Sequence, residues 1–390
     1  MNKHKGPLAG RMAHIQPFHV MALLARAREL EAAGRSIVHM EIGEPDFTTP
    51  APVIEAGRRA LSEGRTHYTP ATGLASLREA IAGHYRNFYG VAVAPQRIVV
   101  TPGASGALLL VLAAVVDPGQ QVLMADPGYP CNRNFVRVVG GEPIAVPVGA
   151  ACGFQPTVDQ VGDYWSKNAV ALMLASPANP TGMLLARSHL EQLQDFVWDR
   201  GGCLIMDEIY HGLTYGDQVA TALSVSNDLF VINSFSKYFG MTGWRLGWLV
   251  APEAYQQEME KLAQNLFLAA PTPAQYAALA AFEPATAEIL EQRRVDFQGR
   301  RDYLLPELRK LGFSLPVTPQ GAFYLYADCK GLTDDSFKFS ERLLEQAGVA
   351  VTPGSDFGVH KASRYLRFAY TTSLENLKEG VQRLRKYLQD

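Results

Sequence analysis

The sequence predicts an α/β fold with a mostly parallel central sheet covered by helices. Three observations point there. Apolar, β-rich runs recur along the chain. They are nearly continuous rather than alternating, the mark of strands buried on both faces. Helical stretches separate several of them, as crossovers between parallel strands require.

The runs cover residues 98–101, 121–125, 169–175, 203–207, 229–233 and 246–250. Between them, residues 184–200 carry Leu190, Leu193, Phe196 and Val197 as a helical stripe. Residues 285–311 read as a long charged helix, with Pro306 as a kink or break. Residues 323–327 and 365–370 read as strands, and residues 336–347 as a helix ending at Gly348. Ligands of such sheets bind in loops after the carboxyl ends of the strands. Ser176, Asp207 and Ser234 all fall at such ends, which predicts one shared crevice.

Composition bounds the function. At 390 residues and 47% hydrophobic content the chain can fill two domain cores. Net charge is −2, from 36 basic and 38 acidic residues, which makes no case for nucleic acid or an anionic membrane. Cys131, Cys152, Cys203 and Cys329 have no metal-ligand spacing and suit a reduced, cytoplasmic protein. The start, Met1-Asn-Lys-His-Lys-Gly-Pro, is basic but lacks the apolar stretch of a signal peptide. The uncharged run between Arg97 and Asp117 contains Pro102, Gly103 and Gly106. It reads as strand, loop and buried helix rather than a membrane span. No internal repeat or low-complexity linker is present.

The chemistry is carried by three segments: Ser176-Pro-Ala-Asn179-Pro-Thr-Gly182, Asp207-Glu-Ile-Tyr210 and Ser234-Phe-Ser-Lys237-Tyr-Phe-Gly-Met-Thr-Gly-Trp-Arg245. A lysine flanked by hydroxyl residues and followed by an arginine suits an aldehyde cofactor carrying a phosphate. Lysine amines form Schiff bases with carbonyls, and pyridoxal phosphate is the commonest such partner. Asp207 offers the anion that keeps a pyridine nitrogen protonated. The bland alternatives are a solvated lysine and a strand-end aspartate, but the joint order of the motifs is hard to reach by chance.

Together these segments resemble the class I/II aminotransferases, the fold-type-I pyridoxal-phosphate enzymes, from about residue 42 to the C-terminus. The resemblance implies a large domain over residues 48–284. A smaller α+β domain would draw on both termini, residues 1–47 and 285–390. It implies exchange of an amino group between an L-amino acid and a 2-oxo acid.

Residue by residue, Lys237 matches the Schiff-base lysine, Asp207 the partner of the pyridine N–H, and Tyr210 and Asn179 the donors to the cofactor's phenolic oxygen. Asn179-Pro180 reads as a cis peptide, as in relatives, or as an ordinary trans turn. Phosphate is expected where Gly103, Ala104 and Ser105 open an apolar helix, since free amides and the helix dipole favour an anion there. Ser234 and Ser236 add hydroxyls, and Arg245 adds a two-pronged grip. Tyr129 matches the aromatic that stacks on the pyridine ring, with a core tyrosine as the alternative. Tyr68 resembles the tyrosine that reaches the phosphate of a neighbouring subunit, which implies a homodimer with shared sites. Arg367 matches the arginine that binds the substrate α-carboxylate, with Arg364 its nearest competitor. The N–H of Gly43, in Gly43-Glu-Pro-Asp-Phe47, adds a second contact.

The amino donor is less legible. Aspartate-specific bacterial relatives carry a lysine at the Ser105 position. Phe18 and Val20 stand where relatives carry hydroxyls. An apolar wall disfavours an unpaired carboxylate, so neutral or apolar donors are expected. A distal carboxylate could still pair with Arg364, Lys361 or a residue of the other subunit. Three other readings compete. Carbon–sulfur β-lyases and cyclopropane-carboxylate synthases share the motifs. A non-catalytic regulator on this fold usually brings a DNA-binding domain, for which the segment before Gly43 is too short. A nicotinamide dehydrogenase would need a Gly-x-Gly-x-x-Gly turn, which is missing.

Overall fold

The computed structural model describes residues 6–216 and 219–389. The basic start at residues 1–5 therefore lies outside the described residues. The strands, in chain order, are β1 Val38–His39, β2 Ile98–Thr101, β3 Gln121–Asp126, β4 Glu142–Pro147, β5 Ala169–Ala175, β6 Cys203–Asp207, β7 Phe230–Ser234 and β8 Gly247–Val250. They continue with β9 Tyr324–Asp328, β10 Val349–Ala350, β11 Thr352–Pro353 and β12 Tyr365–Ala369.

Seven strands form the central sheet in the order β2-β8-β7-β6-β5-β3-β4. The β3–β4, β3–β5, β5–β6 and β6–β7 pairs are parallel, and β8 runs antiparallel to both β2 and β7. The inner strands bury residues on both faces: Leu204, Ile205, Val231 and Ile232 are all inaccessible. Continuous apolar runs were therefore the right signature. The register sets Ala175 beside Asp207, and Ser234 beside Gly247, so the carboxyl ends of β5, β6 and β7 share one edge.

A smaller antiparallel sheet, β11-β12-β9, carries Arg367 opposite Thr352 and Tyr326. Strand β1 pairs with β10. Val38 and Met40 pack in one apolar cluster with Phe297, Phe323, Phe368 and Leu377.

Two sequence expectations need correction. Pro306 does not break its helix, which runs unbroken over Pro284–Lys310. An internal proline costs about 3 kcal/mol. Leu304, Leu305 and Leu308, all buried around it, each return roughly 1.5–3 kcal/mol. The segment 336–347 is not one regular helix. Ser336–Arg342 is α-helical and Leu343–Ala347 is a π turn, closed by Gly348 at φ 67°. Strand β4 was not anticipated. It lies at the sheet edge, where its prolines 143 and 147 are tolerated.

Candidate active site

The carboxyl edge of the sheet, the small sheet and the N-terminal segment enclose a cavity of about 340 Å³. Of the sixteen residues singled out from the sequence, fourteen line it; Gly103 and Tyr68 do not.

Lys237 follows β7, and its Nζ donates to the carbonyl of Gly43 at 2.7 Å. Burial pulls its amine from 10.5 down to about 8. Glu44 opposes that shift, while Arg367 and Arg245 add to it. Asp207 ends β6 and is 3% exposed. Its Oδ1 accepts from the Ile209 N–H at 3.1 Å, and it makes no salt bridge among the described residues. Burial pushes the carboxyl up to about 7; the Ile209 bond and Lys237 work against the rise and Glu208 adds to it. A buried carboxylate without a cation is a seat for one.

Tyr210 is buried, and its hydroxyl lies 2.9 Å from that of Tyr324. Tyr324, on β9, was read from sequence only as a strand residue. It lines the cavity and stacks on Arg367, with the guanidinium carbon 4.3 Å from its ring centre. Arg367 is 5% exposed. Its Nη1 donates to Asn179 Oδ1 at 3.0 Å, and its Nη2 donates to Thr352 Oγ1 and the Glu41 carbonyl. Its Nε is buried without a partner, and no carboxylate neutralises it among the described residues. Arg364 instead pairs with Asp328 and lies outside the cavity. Asn179-Pro180 is cis.

The helix Gly103–Val115 begins at the cavity with Pro102 as its N-cap, so no side chain satisfies its first amides. Arg245 packs on that turn. A Cβ at Gly103, whose φ is +70°, would lie 2.6 Å from the Arg245 Nη2. Ala104, Ser105, Ser234 and Ser236 line the same end, joined by Thr242, which sequence reasoning missed. Thr242 donates to the Ser236 carbonyl at 3.1 Å. Tyr129 stands at the mouth, 36% exposed.

Phe18 and Val20 also line the cavity. They are held from far along the chain: Asp356 accepts the N–H groups of His19 and Val20 at 2.9 and 2.8 Å. That carboxylate caps the helix His19–Ala32, whose own N-cap, Phe18, has no capping side chain. Asp356 was not anticipated, because no short-range pattern links it to residue 19. Tyr68 is 83% exposed and away from this chain's cavity.

A lysine poised to be neutral, a buried acid awaiting a cation, and a cationic cradle of free amides with Arg245 fit pyridoxal 5'-phosphate. The fold and the cavity together define a fold-type-I pyridoxal-phosphate enzyme. The chain belongs to the class I and II aminotransferases: the model of that family matches residues 35–384. It is a pyridoxal-phosphate-dependent aminotransferase.

Among similar proteins, the (5-formylfuran-3-yl)methyl phosphate transaminase of Methanocaldococcus jannaschii is 37% identical over 98% of this chain and 99% of its own. The valine–pyruvate aminotransferase of Mycobacterium tuberculosis is 35% identical over 96% and 97%. The solved aspartate aminotransferase of Thermus thermophilus with maleate superposes with TM-score 0.92 at 35% identity, covering 98% and 100%.

Proposed function

We propose that this aminotransferase takes a neutral or apolar L-amino acid as donor and works through the residues gathered in the cavity. Lys237 would hold the cofactor's aldehyde and, once freed, carry a proton away from the substrate Cα on its Nζ. Asp207 would hold the ring nitrogen, with Tyr129 against the ring. Tyr210 and Asn179 would hydrogen-bond the phenolic oxygen. Gly103, Ala104, Ser105, Ser234, Ser236 and Arg245 would bind phosphate, with Tyr68 reaching across from a second copy in a homodimer. Arg367, Asn179 and the Gly43 N–H would fix the α-carboxylate. Bound there, pyridoxal phosphate supplies a carbonyl for the amino group and a protonated ring that withdraws the electron pair left when Cα–H breaks.

One observation carries the reading: Lys237, Asp207 and an Arg367 that no carboxylate neutralises among the described residues face one cavity. Once Lys237, Arg245 and Arg367 are assigned, no lining cation remains, and three acids also line the cavity: Glu44, Glu41 paired with His39, and Asp356 held by the N–H groups of His19 and Val20. That balance disfavours a second substrate carboxylate against this wall and supports a neutral donor. The names of relatives do not choose, since they include valine–pyruvate and aspartate/prephenate enzymes. The packing of Val38 and Met40 with the 297–384 region supports the two-domain division proposed from sequence. The four free cysteines support a cytoplasmic setting. Among the described residues no helix is long and apolar enough to cross a membrane.

The test is a panel of twenty amino acids, each run as a half-reaction followed by cofactor absorbance. Aspartate outrunning every neutral donor would overturn the donor assignment; glutamate is scored separately, because the reverse of an exchange with 2-oxoglutarate consumes it.

A further inference from the structure

A second cavity, of about 240 Å³, lies beside the first and shares Tyr129, Asn179 and Phe357 with it. Its walls are largely apolar, from Met124, Ala145, Met173 and Leu174. Into it come Arg133 and Arg137, one turn apart on the helix Pro130–Val138.

Neither guanidinium has a carboxylate partner among the described residues. Arg133 gives Nη2 to the Asp356 carbonyl at 2.9 Å, and Arg137 gives Nη1 to Asn134 Oδ1 at 3.2 Å. The remaining donors of both are unmatched. The nearby acids are already committed. Asp126 accepts the N–H groups of Val359 and His360, and Asp356 those of His19 and Val20. Burial and the Arg137 charge both pull the Arg133 pKa down, while the Asp126 and Asp356 charges, neither within ion-pair distance, oppose the fall. Asn132, 6% exposed, lines the same space with its Oδ1 unpartnered. A half-turn of that amide presents Nδ2 instead, so it can serve an anion as a donor.

We propose that this side cavity seats the distal anionic group of an acidic substrate, such as the acceptor 2-oxo acid. Such a substrate has its α-carboxylate on Arg367 and its far carboxylate or phosphate on Arg133 and Arg137. The proposal rests on the reading of Arg367 given above. The two substrates of the exchange would then share one anchor while their side chains take different walls. The neutral one lies against Phe18 and Val20, and the acidic one passes Tyr129. One short stretch links the two anchors: Arg133 bonds the Asp356 carbonyl, and the next residue, Phe357, packs its ring 4.7 Å from the Arg367 guanidinium carbon.

The experiment compares the two half-reactions in Arg133→Met, Arg133→Lys and Arg137→Met holoenzymes, by kcat/KM for 2-oxoglutarate over that for pyruvate. Loss of a charged hydrogen bond lowers that ratio about 10- to 100-fold in the methionine variants. Arg133→Lys keeps a charge and should lie between parent and Arg133→Met. Titration with glutarate, which cannot react, should weaken in parallel. Glutamate and its phosphonate isostere, run side by side, distinguish a carboxylate seat from a phosphate seat. An unchanged ratio in both methionine variants overturns the proposal, whether absolute rates hold or fall together. If Arg133→Met does not fold, Arg137→Met decides. A wrong reading of Arg367 would show separately, as an Arg367→Lys variant with unaltered KM for pyruvate.

Discussion

The hydroxyl of Tyr324 occupies the space where a side chain at position 43 would begin. A Cβ on Gly43 would lie 2.0 Å from that oxygen and 3.0 Å from the ring carbon bearing it. Three groups meet there: the Gly43 carbonyl that takes the Lys237 amine, the Tyr210–Tyr324 hydroxyl pair, and the face of Tyr324 that stacks on Arg367.

Gly43→Ala should therefore damage binding and chemistry together. The tyrosine is fully buried and cannot swing away, so strain reaches Lys237 and Arg367 at once. KM should rise and kcat fall, by roughly tenfold or more in kcat/KM, the scale of a lost charge-assisted contact. Adding Tyr324→Phe removes the clashing oxygen and should restore part of the loss. A double variant no better than Gly43→Ala would show that the contact is not the cause.

Arg367→Lys should raise KM for every amino acid and 2-oxo acid, because all share the α-carboxylate. The fork matches a carboxylate with two parallel bonds, and an ammonium does not. A loss of about 1.5–3 kcal/mol corresponds to roughly 10–100-fold. Changes at Phe18 or Val20 should instead reorder side chains. If Arg367→Lys weakened only dicarboxylic substrates, it would be reading a distal group.

Cofactor uptake by the apoprotein should rise with pH. Lys237 has a lowered value, about 8, so its neutral, nucleophilic form accumulates as pH rises through 8. Asp207 has a raised value, about 7, so its anion appears as pH rises through 7. Both signs point the same way. The rate of absorbance gain on adding pyridoxal phosphate should climb roughly tenfold between pH 7 and 8.5. A flat profile across that window would remove both groups from control of the step. Borohydride treatment of the holoenzyme should fix the cofactor on Lys237 and on no other lysine.

Mixing Lys237→Ala with a Tyr68→Phe variant tests the shared site. If Tyr68 serves a second copy, hybrid dimers hold one intact site and activity returns in part. Two inactive parents that stay inactive after mixing, while sedimenting as dimers, would rule the exchange out.

Much of this was legible because the relevant physics is local. The strands β5, β6 and β7 announce themselves as apolar runs, and their ends carry the motifs that meet in the cavity. Other features depend on contacts far apart in sequence. Tyr324 matters through Gly43, and Asp356 through His19; neither pairing leaves a periodicity. The choice of Arg367 over Arg364 was legible in its match to the family's pattern near the C-terminus, and the register of β12, which sets Arg367 opposite Thr352, agrees with it. Pro306 misled because burial around it outweighs its intrinsic cost.

The grip of Asp356 on residues 19 and 20 divides labour along the polypeptide. The groups proposed to hold the cofactor and move the proton come from the middle, between Gly103 and Arg245. The wall proposed to meet the incoming side chain is stitched from the two ends, Phe18 and Val20 to Asp356 and Phe357. Variation can therefore retune which molecule is admitted without disturbing the machinery that transforms it. A library confined to those terminal stretches would explore new clients while inheriting the reaction intact.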